Sequence, residues 1–384
     1  MSAGFVERPA RPPRDATPAA LRALLQDRYG APAGPGLALR RLSREAGKGV
    51  FRVSAGAHGY EYAPGAAGTG MPWVARVYPP WQRPEALLAQ AAVLRLLEQR
   101  GYPAPRVVPA RDGSLITVLH AAPPGEPPAA LARHDHPDDP DRSDDPDRPD
   151  DPDDAGGRPR PVLVTTYVPG RSTGLALPGL RAHGAAVGRL HALAVPSAAG
   201  LLPASMLPRN ELAAATSWLD AVRERVPPGL RLRYGELEAA CQSLHRFEAG
   251  PRVLLHNDCH PWNSVRTPDG RVVLVDWEGA GLGPATVDLG FVALSADTGG
   301  LVGPVIPPDP ARLDALLDGY AAYHRPPTAE LEHLTDAVRF RTLVAACADF
   351  SRAVARQTEQ IPWGWQRYLA AEAIADRIRA RLGR

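Results

Sequence analysis

Lysine is almost absent from this chain of 384 residues, whereas arginine is abundant. Alanine, proline and glycine are also plentiful, so the pattern reads as a compositional bias. An arginine where a lysine is customary therefore carries little meaning by itself. Cysteine is scarce too. Cys241, Cys259 and Cys347 are odd in number and widely spaced, which excludes a disulfide framework and fits reduced thiols in a cytoplasmic protein. The amino-terminal MSAGFVERPARPPRD lacks the apolar core of a signal peptide, and no apolar run is long enough to span a bilayer. A formal net charge of +2 leaves no global excess of either sign, so neither nucleic acid nor a membrane is an expected partner. What is present suffices for sizeable cores, with 44% hydrophobic residues, and the length suits about two domains.

Along the chain, residues 1–16 are rich in Pro and Arg and are expected to be disordered. Thr17 can cap a helix with Pro18 in its first turn, Leu21, Leu24, Leu25 and Tyr29 inward, and Gly30 at its end. Strand-like runs over 37–42 and 50–54 flank a turn containing Gly47, Lys48 and Gly49. Glycines in such a turn let backbone N–H groups approach phosphates, although most hairpins of this kind are only hairpins and Lys48 reads equally well as a solvated tip. A third strand covers 73–78. A helix follows from Pro84 and Glu85, with Leu87, Leu88, Ala91, Leu94 and Leu97 at helical spacing and Gly101 closing it. Short strands at 107–108 and 115–119 complete a small α+β lobe.

Residues 135–154 repeat DDPDR units, dense in carboxylate and proline and devoid of apolar side chains. This predicts a disordered insertion over about 134–158. A calcium loop is disfavoured, because no glycine turn with a terminal Glu is present. The strand from 161 to 168 stops at Pro169-Gly170, which places the lobe boundary there: an amino-terminal lobe over 17–168 and a mainly helical one over 169–384. Helical patterns occupy 180–193, 211–226, 230–247, 310–324, 329–356 and 365–382.

The most informative stretch is 253–291, VLLHNDCHPWNSVRTPDGRVVLVDWEGAGLGPATVDLGF. An apolar run ends at His256, Asn257 and Asp258, and Asn263 follows five positions after Asp258. A turn with Pro268, Asp269 and Gly270 then leads into a second run, Val272 to Val275, which delivers Asp276, Trp277 and Glu278 to a glycine-rich loop. Two strand ends thus carry a cluster of hard oxygen donors, the set that suits Mg²⁺ completed by phosphate and water. Phosphoryl transfer needs this layout, and the kinase catalytic loop has Asp and Asn at the same offset with a metal-binding Asp later.

With both lobes in order, the chain resembles the aminoglycoside phosphotransferase / choline kinase-like superfamily, small-molecule relatives of the protein kinases. The resemblance runs over roughly 17–350 and rests on HNDCHPWN at 256–263 and DWEGAGLGPATVDLGFVA at 276–293. Looser agreement lies in VARVY at 74–78, AAVLRLLEQRGYPAPRVV at 91–108, YVPG at 167–170 and GRLHAL at 188–193. It implies a bilobal α+β fold with ATP between the lobes. Asp258 would be the catalytic base beside the acceptor hydroxyl, Asn263 and Asp276 the Mg²⁺ ligands, and Glu278 a further acidic group at the metal. Gly47, Lys48 and Gly49 would form the phosphate turn. Arg76 would stand at the phosphate-contacting position, and Thr166, Tyr167 and Val168 would present the hinge backbone to adenine. The chain departs from the pattern at Gln90, where a Glu usually orients that cation, and at Asn257, where Gly is usual. Asn tolerates positive φ better than most residues.

The implied activity is ATP-dependent phosphorylation of a small-molecule hydroxyl. An aminoglycoside-type acceptor is the first reading; choline, ethanolamine, homoserine or a sugar is the alternative; a nucleotide-binding pseudokinase is the competing class. The protein could be a monomer or a dimer. Several residues read more simply as structural: His256 as an orienting group rather than a zinc ligand with Cys259 and His260, His191 as a packed helix residue, and Asp288 as a buried hydrogen-bond acceptor for the loop. Trp363, Trp365 and Tyr368, with Asp349 or Glu359 nearby, read first as core and second as a wall for a cationic acceptor.

Overall fold

The computed structural model describes residues 17–32, 36–43, 49–55, 72–120, 158–194, 208–244, 251–299, 305–358 and 364–383. The amino-terminal 1–16, nearly all of the Asp/Pro-rich insertion, and the turn holding Gly47 and Lys48 lie outside them. The chain divides into two compact units, 1–84 with 108–167 and 85–107 with 168–384.

The first unit is built on a five-stranded antiparallel sheet in the order β1-β2-β3-β5-β4. Its strands are β1 (Leu37–Ser43), β2 (Gly49–Ala55), β3 (Trp73–Val77), β4 (Ile116–Leu119) and β5 (Arg160–Thr166). Alternate residues Phe51 and Val53, Ala75 and Val77, and Val162 and Val164 share one core, as the two-residue period of a pleated strand requires. Helix α1 (Thr17–Tyr29) covers that core with Leu21 and Leu25, both fully buried. The Tyr29 hydroxyl meets the Thr117 hydroxyl at 3.2 Å. The short strand expected at 107–108 amounts to a single ladder bond, from Val108 N–H to the Val164 carbonyl (2.9 Å).

The second unit is mainly helical. It contains α2 (Pro84–Gln99), α3 (Leu177–His191), α4 (Pro208–Val222), α5 (Arg231–Ser243), α6 (Ala285–Thr298), α7 (Pro310–Ala321), α8 (Thr328–Leu331), α9 (Leu334–Ala355) and α10 (Gly364–Leu382). The sequence pattern groups α2 with the sheet, yet its Val93, Leu94 and Leu97 and the following Tyr102 belong to the large core of α3, α6 and α7. Periodicity shows that a helix has an apolar face but not which layer receives it. The single helix expected over 329–356 is two, α8 and α9. A second core gathers α4, α5 and α9 around Leu255 and Val287. Helix α6 is buried over its whole length, so it runs through the interior rather than across a surface.

Helices α3 and α7 approach closely enough that glycine is obligatory at the crossing. A Cβ at Gly184 would stand 2.0 Å from the Leu316 carbonyl oxygen, one at Gly188 2.5 Å from that of Tyr320, and one at Gly319 1.9 Å from that of Arg181. Backbone, unlike a long side chain, cannot swing aside. Gly319→Ala should therefore force the helices apart and cost about 1–3 kcal/mol, read as a lower melting temperature; an unchanged melt would show that the crossing has slack.

Candidate active site

Four short strand segments carry the acidic stretch, all within the second unit. Strand β7 (Val253–Leu255) ends in buried Leu254 and Leu255 and pairs with β10 (Gly281–Gly283), Leu255 opposite Gly281. Strands β8 (Ser264–Arg266) and β9 (Val272–Leu274) form a hairpin on which β6 (Arg171–Ser172) lies. The loop after β7 presents Asp258, a turn over Pro261–Asn263 presents Asn263, and the exit from β9 presents Asp276 and Glu278.

The loop is held from beneath by one carboxylate. Asp288, in the first turn of α6, is fully buried and accepts hydrogen bonds from the backbone N–H groups of His256 (2.6 Å) and Asn257 (2.8 Å). The Nε2–H of His191 on α3 donates to the same group (3.3 Å), and the His191 Nδ1 accepts from the Tyr320 hydroxyl of α7 (2.8 Å). Burial alone would raise the pKa of Asp288. The His191 and backbone donors outweigh it and hold the carboxyl below its ordinary value. Beside it, His183 donates from Nε2 to the Cys259 carbonyl (2.8 Å), and burial pulls its pKa down to about 4.

Asn257 adopts φ +63°, the left-handed region that its short polar side chain tolerates. Its Nδ2–H donates to the Gly279 carbonyl (2.9 Å), tying the Asp258 loop to the turn that follows Asp276. Asp276 is left-handed as well, at φ +69°. His256 donates from Nε2 to the Val275 carbonyl (3.0 Å) and accepts the Asp258 N–H at Nδ1 (3.3 Å), with its ring 4.5 Å from that of Trp277. Both nitrogens are thus spent on backbone, which is an orienting role.

Asp258 and Asn263 are brought together directly. The Asn263 amide donates to the Asp258 carboxylate (2.6 Å) and carbonyl (3.0 Å). That directs its Nδ2 inward, so its amide oxygen is the atom able to ligate a cation. The Asp258 side chain is 43% exposed. Even so, partial loss of hydration, followed by repulsion from Asp276 and Glu278, pushes its pKa up to about 7, against the pull of Arg341 and the Asn263 bond. His260 lies 3.7 Å from Asp258. Burial and the neighbouring His256 lower its pKa to about 4, so it is neutral near pH 7 and the contact is no ion pair.

Three carboxylates that disfavour one another, together with an outward amide oxygen, form a donor set suited to a hard divalent cation. No group of three His, Cys, Asp or Glu side chains converges at metal-binding distance among the described residues. The zinc alternative has no support: His256 and His260 are engaged with backbone, and the Cys259 thiol faces the Asp288 carbonyl (3.6 Å).

The positions expected from sequence on the nucleotide side fall mostly in the first unit. Gly49 opens β2 opposite Val77, and Arg76 sits in β3 between Val50 and Leu163. Thr166 ends β5 opposite Trp73, the Tyr167 N–H donates to the Pro72 carbonyl (2.9 Å), and the Tyr167 ring lies under the Arg52 guanidinium (4.5 Å). Val168, half-buried, is the first residue of the second unit's 168–384 segment, and Gln90 is buried on α2. Trp365 and Tyr368 near the carboxyl terminus are partly buried and pack against the core of α4, α5 and α9. Trp365 and Tyr368 stack at 4.9 Å and are faced by Arg233 and Arg339, while Trp363 and Glu359 lie outside the described residues.

Sequence reasoning missed Arg341. This α9 side chain is 11% exposed, pairs with Glu211 of α4, lies against Phe340 and Phe291 at 5.1 and 5.9 Å, and acts electrostatically on Asp258. In sequence it is one arginine among many on an amphipathic helix, with no motif to single it out.

The model of the phosphotransferase enzyme family matches residues 50–331. Solved structures similar in fold include an amicoumacin kinase in complex with AMP-PNP, Ca²⁺ and amicoumacin, at TM-score 0.58 and 15% identity over 95% of this chain and 93% of that one. A spectinomycin phosphotransferase bound to ADP and spectinomycin gives TM-score 0.55 and 11% identity over 96% and 99%. A choline/ethanolamine kinase family protein from Mesorhizobium loti gives 0.53 and 17% over 95% and 99%. No curated protein matches the sequence. These likenesses establish the bilobal, protein-kinase-like α+β fold, and the family match over most of the chain shows that it belongs to the phosphotransferase enzyme family.

Proposed function

We propose that the protein is an ATP-dependent O-phosphotransferase that moves the γ-phosphate of ATP to a hydroxyl of a small molecule, with an aminoglycoside-type antibiotic as the first acceptor to test. The observation that carries this reading is the Asp258–Asn263 pair, joined at 2.6 Å on one loop and electrostatically coupled to Asp276 and Glu278. Family membership supplies the reaction class. The nucleotide and divalent cation bound to related folds support ATP and Mg²⁺ as cofactors.

In this mechanism Asp258 orients the acceptor hydroxyl and accepts its proton. Asn263 and Asp276 would hold Mg²⁺, with Glu278 beside them; when bound, the ion offsets charge on the phosphate oxygens. Gly47, Lys48, Gly49, Arg76, Gln90 and Thr166–Val168 are proposed on the nucleotide side. A Gln at position 90 can hydrogen-bond a guanidinium but cannot neutralise it. Asp288 and His256 bind nothing that reacts; they fix the backbone that aims Asp258. Catalysis on these terms is chiefly positioning and charge stabilisation.

The test is ADP release from ATP and Mg²⁺ across a panel of aminoglycosides, choline, ethanolamine, homoserine and sugars. Acceptor-dependent turnover with one class supports the proposal and names the acceptor. Nucleotide binding without turnover on any of them would favour a pseudokinase instead.

A further inference from the structure

Two of the three thiols meet. Cys241 on α5 and Cys347 on α9 are 106 positions apart in sequence, yet their sulfurs are 3.6 Å apart. Both are buried, Cys347 completely. They lie in the core formed by α4, α5 and α9, near the Tyr234–Phe350 ring pair (6.1 Å). That core includes Leu255 and Val287, the residues immediately before His256 and Asp288. The third cysteine, Cys259, faces a carbonyl and has no sulfur neighbour among the described residues.

We propose that Cys241 and Cys347 form an oxidisable dithiol that hydrogen peroxide closes to a disulfide between α5 and α9. The proposal goes beyond phosphoryl transfer and does not depend on which acceptor is used. The 3.6 Å contact brings the two sulfurs together from elements far apart in sequence, the approach a disulfide requires.

The two thiols are unequal. The hydrogen bond with Cys347 lowers the pKa of Cys241, whereas that same bond and burial raise the pKa of Cys347. Cys241 is also the one with some exposure, at 8%. It is therefore the attacking sulfur. Its thiolate displaces hydroxide from the peroxide O–O bond to give a sulfenic acid. The Cys347 sulfur then displaces the sulfenic hydroxyl, forming the S–S bond. Over both steps two thiols lose two protons and two electrons, and the peroxide becomes two waters.

The full chain is treated with hydrogen peroxide in native buffer, the peroxide is quenched with catalase, and the protein is unfolded in the presence of an alkylating reagent. Free thiols should fall from three to one, with a mass loss of about 2 Da, a peptide linking Cys241 to Cys347, and reversal by dithiothreitol. Closing so long a loop should also raise the melting temperature by roughly 5 °C. In Cys347→Ala the reaction should stop at a dimedone-reactive sulfenic acid on Cys241; in Cys241→Ala no such adduct should form. Persistence of all three thiols in millimolar peroxide overturns the proposal. So does oxidation confined to Cys259, or a disulfide that forms only between chains.

Discussion

Asparagine in place of Asp258 should lower acceptor-dependent phosphoryl transfer by about 10³-fold while raising the melting temperature of the nucleotide-free protein near pH 8. The first effect follows from the proposed mechanism: an amide cannot accept the acceptor's proton, although it keeps the size of the side chain and can still accept the Asn263 bond. The second follows from the electrostatics. The Asp258 pKa stands near 7 because of lost hydration and then the charges of Asp276 and Glu278. A carboxyl whose folded pKa is raised supports the fold fully below its unfolded pKa near 4, and that support is lost as pH rises through about 7. Since the side chain is 43% exposed, solvent screening reduces the penalty to about 1 kcal/mol. The gain from asparagine should therefore be small at pH 5 and larger at pH 8, as paired thermal melts would record. Wild-type turnover by the variant would remove Asp258 from the reaction.

Loss of Asp288 should act in the opposite sense on stability. In Asp288→Ala, the N–H groups of His256 and Asn257 lose their acceptor in a site closed to water, and His191 loses its partner. Breaking a buried charged network from one side costs about 3–5 kcal/mol, which for a chain of this size is a fall of roughly 10 °C. The fraction that remains folded should be slower by on the order of 10²-fold, because the loop carrying Asp258 is no longer fixed. The pH sign is also defined. A lowered carboxyl pKa gives stability that is present above the ordinary carboxylate range and lost as pH falls through the folded value. The difference between wild type and variant should therefore be full at neutral pH and shrink in acid. A variant that melts like wild type would show that the loop is held by something else.

The strands of the first unit, with β7 and β9, were legible because Val- and Leu-rich runs bounded by Gly, Pro and Asp have few other solutions, whereas the short β6, β8 and β10, which lack such runs, were not. The 253–291 stretch was legible because a fixed spacing of oxygen donors has chemical meaning before any fold is known. The same stretch shows where reading stops. Asp288 could be read as a buried acceptor, but not that both of its oxygens meet N–H groups of the same loop, since that depends on α6 passing beneath β7. Arg341 was invisible because its importance comes from where α9 crosses, not from its neighbours in sequence. The placement of α2 with the helices was hidden for a similar reason: its apolar face suits either core.

The glycine crossing of α3 and α7 bears on how displacement travels through the second unit. At Gly184, Gly188 and Gly319 backbone meets backbone, so no side-chain rotamer is available to take up strain, and the two helices must shift as one stiff piece. Helix α3 carries His183 and His191, and α7 carries Tyr320; these lead to the Cys259 carbonyl and to Asp288. The rigid crossing thus shares one hydrogen-bonded path, Tyr320 to His191 to Asp288, with the backbone N–H groups of His256 and Asn257.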